Sequence, residues 1–492
     1  MNTNRNHLRI FLLCAIFCVL GMHSCSPDAE VLDTNRLAEA FEQFREPSLT
    51  QRRFGYATIA PLIESRSSLF ENQILGNSVE GRPIHALTYG DGTRPVLLWS
   101  QMHGDESTAT MALFDLFNFL EGSETDAFED IRQKIRNELQ IRFIPMVNPD
   151  GAERFQRRNA LHIDLNRDAI RQSSPEAVVL KNARDAFEPD FGFNLHDQNS
   201  YYNVSGTTNP ATISVLAPAY NEAREMNPGR EKAMKVIAGM NRVLQEEIPD
   251  HLGKYNDSFE PRAFGDNFQK WGTSTILIES GAFPDDPEKQ YVRKLNFMII
   301  LNALYEIAAG TYETFPVDDY LAIPDNSSRL MDLIVRNVSV TTAGHSYVTD
   351  IGVRRAARYA EERRYFQGTV SDWGDLSVYH GYKELDATGL EATAGKVWEE
   401  EKPLEELNRE EAFRLLREGY LGVKTSTENK GKLHELPLLL LTGEELPDLE
   451  PSLANAPNFF LVREGEYRYA VVNGYLIDLQ NPGSEAFRHP VN

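Results

Sequence analysis

The chemistry of this chain begins at His103 and Glu106. An apolar run, Val96 to Trp99, breaks abruptly into His103-Gly104-Asp105-Glu106, and a helical pattern follows at 108–120. At a separation of three, an imidazole and a carboxylate can reach one point, and zinc takes such nitrogen and oxygen ligands. His-x-x-Glu also arises often by chance, and alone it fits a solvated loop. Other polar residues close or follow apolar runs in the same way. Arg157, Asn166 and Arg167 come in the loop after 139–147, His196 ends the run 190–195, and Glu279 ends the run 273–278. If these runs are strands of one parallel sheet, their ends face one side, where open α/β sheets place their ligands. Three protein ligands with an open fourth position are the pattern of a catalytic zinc, and His103, Glu106 and His196 supply them. A further carboxylate nearby can take a proton from water beside the metal. Arginines suit an oxyanion and, bidentately, a carboxylate.

The elements that must position these residues read as alternating strands and helices. A helical pattern at 26–50 (Leu37, Phe41, Phe44) marks a polar leader that packs on the first domain, and a second short helix covers about 58–66. Gly76-Asn77-Ser78-Val79-Glu80-Gly81-Arg82 followed by an apolar strand predicts a hairpin, with Gly81 in the turn. Asn148-Pro149-Asp150-Gly151 reads as a strong turn. Ser174-Pro175-Glu176 caps a helix running to about Phe187; a strand is expected at 213–217, and after it further helices at 228–247 and 289–309. The alternation predicts an α/β domain over 51–310: a mixed, mainly parallel sheet flanked by helices. The composition shifts after Gly310. Residues 311–325, rich in Pro, Asp and Tyr, read as a linker. The remainder, 326–492, reads as a smaller α+β or mostly β accessory domain, with strands at 330–340 and 345–352, a helix at 353–362, strands around 366–393, a helix at 408–418, and strands at 436–441, 458–463 and 467–478.

Composition narrows the partners. The formal charge of the 492-residue chain is −23; residues 1–25 carry Arg5, Arg9 and no acid, so without them it is −25. That argues against nucleic acid or an anionic membrane surface as a partner. Arg5 and Arg9 precede an apolar run, Ile10 to Leu20, too short to span a bilayer, and then Ser24-Cys25. This start resembles a bacterial lipoprotein signal peptide over 1–25, with Cys25 lipidated. It implies an exported protein, in the periplasm or at the cell surface, attached to the membrane only through that lipid; simple secretion with cleavage nearby is the alternative. Cys14 and Cys18 lie inside the signal, leaving Cys25 alone in the mature chain, so any metal must be held by His, Asp and Glu.

The ordered set of motifs resembles the zinc metallocarboxypeptidases of the carboxypeptidase A/B type. The matching pieces are Gly76-x-Ser78-x-x-Gly81-Arg82-Pro83-Ile84, His103-x-x-Glu106, Asn148-Pro149-Asp150-Gly151, Arg157, Asp164-Leu165-Asn166-Arg167, His196 and Glu279, across roughly 50–310. The resemblance implies that His103, Glu106 and His196 bind one zinc ion and that Glu279 is the general base and then the general acid. It implies that Arg157 polarises the scissile carbonyl, and that Asn166 and Arg167 hold the free C-terminal carboxylate of a peptide substrate. Arg158 is the rival for the Arg157 role. The family's mobile tyrosine should lie somewhat over twenty residues before the base, which points to Tyr255. Asp105 stands where some members carry arginine. Asp266 falls where the family lines its specificity pocket; it could favour a basic terminal residue or cap a turn.

Two other readings use the same residues: a zinc amidase, deacylase or cell-wall peptide hydrolase, and a non-catalytic peptide- or glycan-binding lipoprotein. His162 reads as a surface residue, Asp197 as a group that orients its neighbours, and His345 and His380 as structural.

Overall fold

The computed structural model describes residues 31–492, apart from 361–362, 444–445 and 485. The basic start, its apolar run and Cys25 lie outside the described residues. The leader folds into α1 (Thr34–Phe44), capped by Asp33, which accepts from the Asn35 amide. Leu37, Ala40 and Phe41, at helical spacing, are buried in the first core. After α2 (Tyr56–Glu64), β1 (Phe70–Asn77) and β2 (Pro83–Tyr89) form the expected antiparallel hairpin, and Gly81 takes a φ of 83° in its turn.

The chain then runs β3 (Arg94–Ser100), α3 (Thr108–Leu120), α4 (Glu129–Glu138), β4 (Leu139–Ile144), α5 (Pro149–Arg154), α6 (Pro175–Phe187), β5 (Phe191–Asp197) and β6 (Asn203–Val204). It continues through β7 (Ile213–Leu216), α7 (Pro228–Glu247), β8 (Leu252–Lys254), α8 (Phe264–Lys270), β9 (Ser274–Ser280) and α9 (Gln290–Ala309). The main sheet has eight strands in the order β1-β2-β4-β3-β5-β9-β7-β8. Its centre, β4-β3-β5-β9, is parallel, while β1, β2 and β7 join antiparallel. Helices cover both faces, which is why β3 is apolar almost throughout. One face packs on α1, α3, α7 and α9; on the other, Leu97, Trp99 and Ile144 meet Leu180 of α6 and Phe264 and Phe268 of α8.

The structure corrects several local expectations. Asn148-Pro149-Asp150-Gly151 is not a free turn but the cap and first turn of α5, with the Asn148 side chain accepting from the Gly151 amide. The sequence pattern does not announce α4, whose buried face is marked only by Ile131, Arg132 and Ile135. Residues 311–325 are not a bare linker. They hold a 3-10 turn at Thr311–Thr314 and α10 (Val317–Leu321), and Tyr312 and Tyr320 are buried in the first core.

The C-terminal half is α+β and mostly strand, as expected. β10 (Asn326–Ser327) pairs with β6, and β11 (Leu330–Thr342), β12 (His345–Ala360) and β13 (Arg363–Gly374) form a long meander. The described part of the helix expected at 353–362, Val353 to Ala360, is the far half of β12 and pairs residue by residue with β13. The expected strand at 467–478 is two, Glu466–Val472 and Tyr475–Asp478, joined through a left-handed Asn473-Gly474 turn. A helix, Arg409–Arg417, packs with the strands Tyr420–Lys424 and Leu439–Leu441 around a further core. No helix among the described residues is long and apolar enough to cross a membrane.

Candidate metal centre and active-site cleft

The loop from β3 to α3 carries His103 and Glu106, and two of the sequence motifs hold it in place. Asn148 donates from Nδ2 to the Met102 carbonyl (3.2 Å) and from its amide to the Gln101 carbonyl (3.1 Å). Gly104 lies so close to α5 that a Cβ there would stand 2.0 Å from the Gly151 carbonyl carbon, so only glycine fits. Asp150 in turn accepts from Ser78 Oγ and Arg82 Nη1, both at 2.7 Å, and from the Glu80 amide at 2.9 Å. The hairpin motif therefore anchors α5, and α5 shapes the loop.

Glu106 bridges two imidazoles. Its Oε1 is 2.8 Å from His103 Nδ1 and its Oε2 is 2.7 Å from His196 Nδ1. All three residues are buried, and their potential ligand atoms lie within 4.8 Å of one another. Burial alone would raise the Glu106 carboxyl, but the two imidazoles hold it well below the ordinary carboxylate range. Burial would likewise lower His103; Glu106, and Asp164 at 3.1 Å from Nε2, outweigh it and push His103 up to about 9. His196 is drawn down by burial, and its Nε2 is buried with no partner among the described residues. Two imidazoles and a carboxylate converging at one buried point fit a zinc ion in donor type and number. Asp164, on the far nitrogen of His103, fits the carboxylate that orients a metal-bound imidazole.

His196 and Glu279 come together through strand register. β5 and β9 are parallel neighbours, and His196 stands directly opposite Glu279. Glu279 is 9% exposed; burial, and next the charge of Glu106, push its carboxyl well above the ordinary value. Arg157 Nη1 lies 3.0 Å from His103 Nδ1 and 3.3 Å from Glu106 Oε1, while its Nε donates to Asp164 Oδ2 at 3.0 Å. Arg158 instead turns outward and donates to the His162 carbonyl, so the neighbour at the centre is Arg157.

Asn166 and Arg167 sit in the 3-10 turn Leu165–Arg167. Asn166 Oδ1 accepts from the Phe264 amide at 2.9 Å, which ties this turn to α8. Arg167 pairs with Glu260 at 3.3 Å. Tyr255 leans on Tyr202, with ring centroids 5.8 Å apart. All eight residues nominated from the sequence line one cavity of about 550 Å³. Asp105 and Asp266 line it too. Asp266 also accepts from the Glu260 amide at 2.9 Å, and burial pushes its carboxyl up to about 7. His162 is exposed, as expected.

Sequence reasoning passed over Arg52 and Lys289, which meet on Asp197. Arg52 Nη2 and Lys289 Nζ each lie 3.1 Å from Asp197 Oδ2, Thr108 Oγ1 donates to the same oxygen at 2.6 Å, and the Asp197 amide donates to Glu106 at 3.2 Å. Neither cation has a motif around it. Only Asp197, next to His196, signalled this cluster.

Residues 56–209 match the family profile described as zinc carboxypeptidase, Peptidase_M14. Within the matched segment lie His103, Glu106, Arg157, Asn166, Arg167 and His196; Tyr255 and Glu279 lie beyond it. An uncharacterised protein of Zymomonas mobilis is 30% identical over 136 residues, which is 27% of this chain and 35% of that one. A probable carboxypeptidase 2 of Trichophyton verrucosum is 27% identical over 166 residues, 33% of this chain and 29% of its own. The chain thus spans about a third of the length of the curated relatives it matches. Among solved structures, a metallo-carboxypeptidase from Burkholderia cenocepacia is similar over 52% of this chain and 69% of its own, at 20% identity and a TM-score of 0.41. A carboxypeptidase A from Helicoverpa armigera is similar over 57% and 82%, at 15% identity and a TM-score of 0.41.

Proposed function

We propose that this protein is a zinc-dependent metallocarboxypeptidase that hydrolyses the C-terminal peptide bond of peptides. The observation that carries the reading is the placement of Glu279 in register with His196, beside the buried His103–Glu106–His196 group and in one cleft with Arg167. His103, Glu106 and His196 would hold the ion. When bound, zinc supplies Lewis acidity and makes water a nucleophile near neutral pH. Glu279 accepts the proton of the attacking water and passes it to the leaving amine. Arg157 donates to the carbonyl oxygen as charge builds on it. Asn166 and Arg167 hold the terminal carboxylate, the guanidinium through its two-pronged face, and Tyr255 closes over the terminal residue. The chain is exported and lipid-anchored through Cys25.

The experiment is a mass-spectrometric screen of peptides with varied last residues, with and without a zinc chelator. Loss of single terminal residues that stops with chelator is expected. Products cut inside the chain, or equal turnover of amidated peptides, would replace this reading with an endopeptidase or amidase.

A further inference from the structure

The far end of the β12–β13 hairpin packs behind the cleft, on residues next to Arg52 and Lys289 in the chain and on Phe155. Tyr359 of β12 stacks edge-on against Phe155 (centroids 5.3 Å apart), and the Arg53 guanidinium lies 4.8 Å over the Tyr359 ring. Arg364 of β13 pairs with Glu288 at 3.4 Å and donates to the Pro287 carbonyl. Glu288 in turn accepts the Arg52 amide at 3.0 Å, and Ser107 Oγ donates to the Arg52 carbonyl at 2.5 Å. The main chain of Arg52 is therefore held from both sides, and the hairpin packs one of the two groups, Glu288, in place.

Arg52 itself lines the cleft. One nitrogen is anchored on Asp197, and Nε is buried with no partner among the described residues. A guanidinium that lines a cavity and is held on one side by a carboxylate can offer its remaining N–H groups to an acceptor there. Arg167 sits on the Asp164 side of the metal-ligand group and Arg52 on the Asp197 side. A peptide whose C-terminal carboxylate meets Arg167 therefore runs its upstream residues toward Arg52.

We propose that the β12–β13 hairpin backs the peptidase cleft from outside its lining, and that it positions Arg52 to bind main-chain carbonyls of the substrate upstream of the scissile bond. This rests on the carboxypeptidase reading and adds to it a role for the C-terminal half. Tyr359 and Arg364 are positioning residues here, and Arg52 is the group that touches substrate.

The test compares two peptides with the same last two residues and a free C-terminus: an unacylated dipeptide, and a longer peptide with three further residues upstream. Tyr359→Ala and Arg364→Ala, in the full-length zinc-loaded enzyme, should raise KM for the longer peptide about 3- to 30-fold, the scale of a lost cation–π or aromatic contact. kcat for both peptides, and KM for the dipeptide, should stay within about twofold, because nothing upstream of the dipeptide reaches Arg52. Tyr359→Phe keeps the ring and should restore the wild-type KM. An unchanged KM for the longer peptide, or equal losses on both peptides, would overturn the proposal and leave the hairpin a structural prop. Wild-type turnover of neither peptide would instead bring down the carboxypeptidase reading, and this inference with it.

Discussion

Replacing Glu279 by Gln separates chemistry from folding with one atom. The side chain keeps its shape, and no hydrogen bond among the described residues depends on it. A positioned general acid–base group contributes roughly 100- to 10,000-fold, or about 3 to 5 kcal/mol of barrier at 1.36 kcal/mol per tenfold. Because Glu279 would act twice, on the water and on the leaving amine, the upper half of that range is expected for kcat, with KM nearly unchanged. Stability should move the other way. Burial and Glu106 raise the folded carboxyl above its ordinary 4.5. The native state therefore binds the proton more tightly than the unfolded chain, and stability falls as pH rises above about 4.5. Glutamine carries no charge at any pH, so chelator-treated Glu279→Gln should melt no lower than chelator-treated wild type at pH 5 and higher at pH 8. The assays are single-turnover peptide hydrolysis, zinc content and thermal melts at both pH values. Near-normal hydrolysis by a zinc-loaded Glu279→Gln protein would refute the mechanism even with the metal centre intact.

Metal analysis should find one zinc per chain, and His196→Ala should lose it; full zinc occupancy in that variant would remove His196 from the site. Arg167→Lys keeps the charge but loses the fork, so kcat/KM on free-carboxylate peptides should fall about 10- to 100-fold, the scale of a hydrogen bond to a charged group; amidated peptides should be poor substrates of both forms. Gly104→Ala forces the metal loop away from α5, where its Cβ would stand 2.0 Å from the Gly151 carbonyl carbon. It should lower stability by about 1–3 kcal/mol and weaken zinc binding, read by denaturant titration and competition with a chelator. Mass spectrometry of the native N-terminus should find residues 1–24 missing and Cys25 lipidated; a free amino terminus nearby would show plain secretion instead.

The sequence by itself determined most of the strands and helices of the first domain and the residues that could do chemistry. Both are local signals. An apolar run broken by polar residues marks a strand end, and His-x-x-Glu or Asp-Leu-Asn-Arg is visible without a fold. It put Arg157 ahead of Arg158 only through the family resemblance, because adjacent residues differ only in which way the chain turns after α5. It could not settle 353–362, where Ala and Arg favour helix locally. That segment is strand because β13 runs back along it and satisfies its backbone, and such pairing outweighs propensity. Asn148-Pro149-Asp150-Gly151 looked like a turn because turns and helix caps use the same residues; their neighbours in space decide between the two. The tertiary structure alone set Glu279 opposite His196, 83 residues apart in the chain, through the register of two parallel strands. It alone placed Arg52 and Lys289 on Asp197, since a lone cation carries no pattern. Ligand types are written in the residues, but their convergence is a long-range property of the sheet, and only the packed fold decides which strand ends meet.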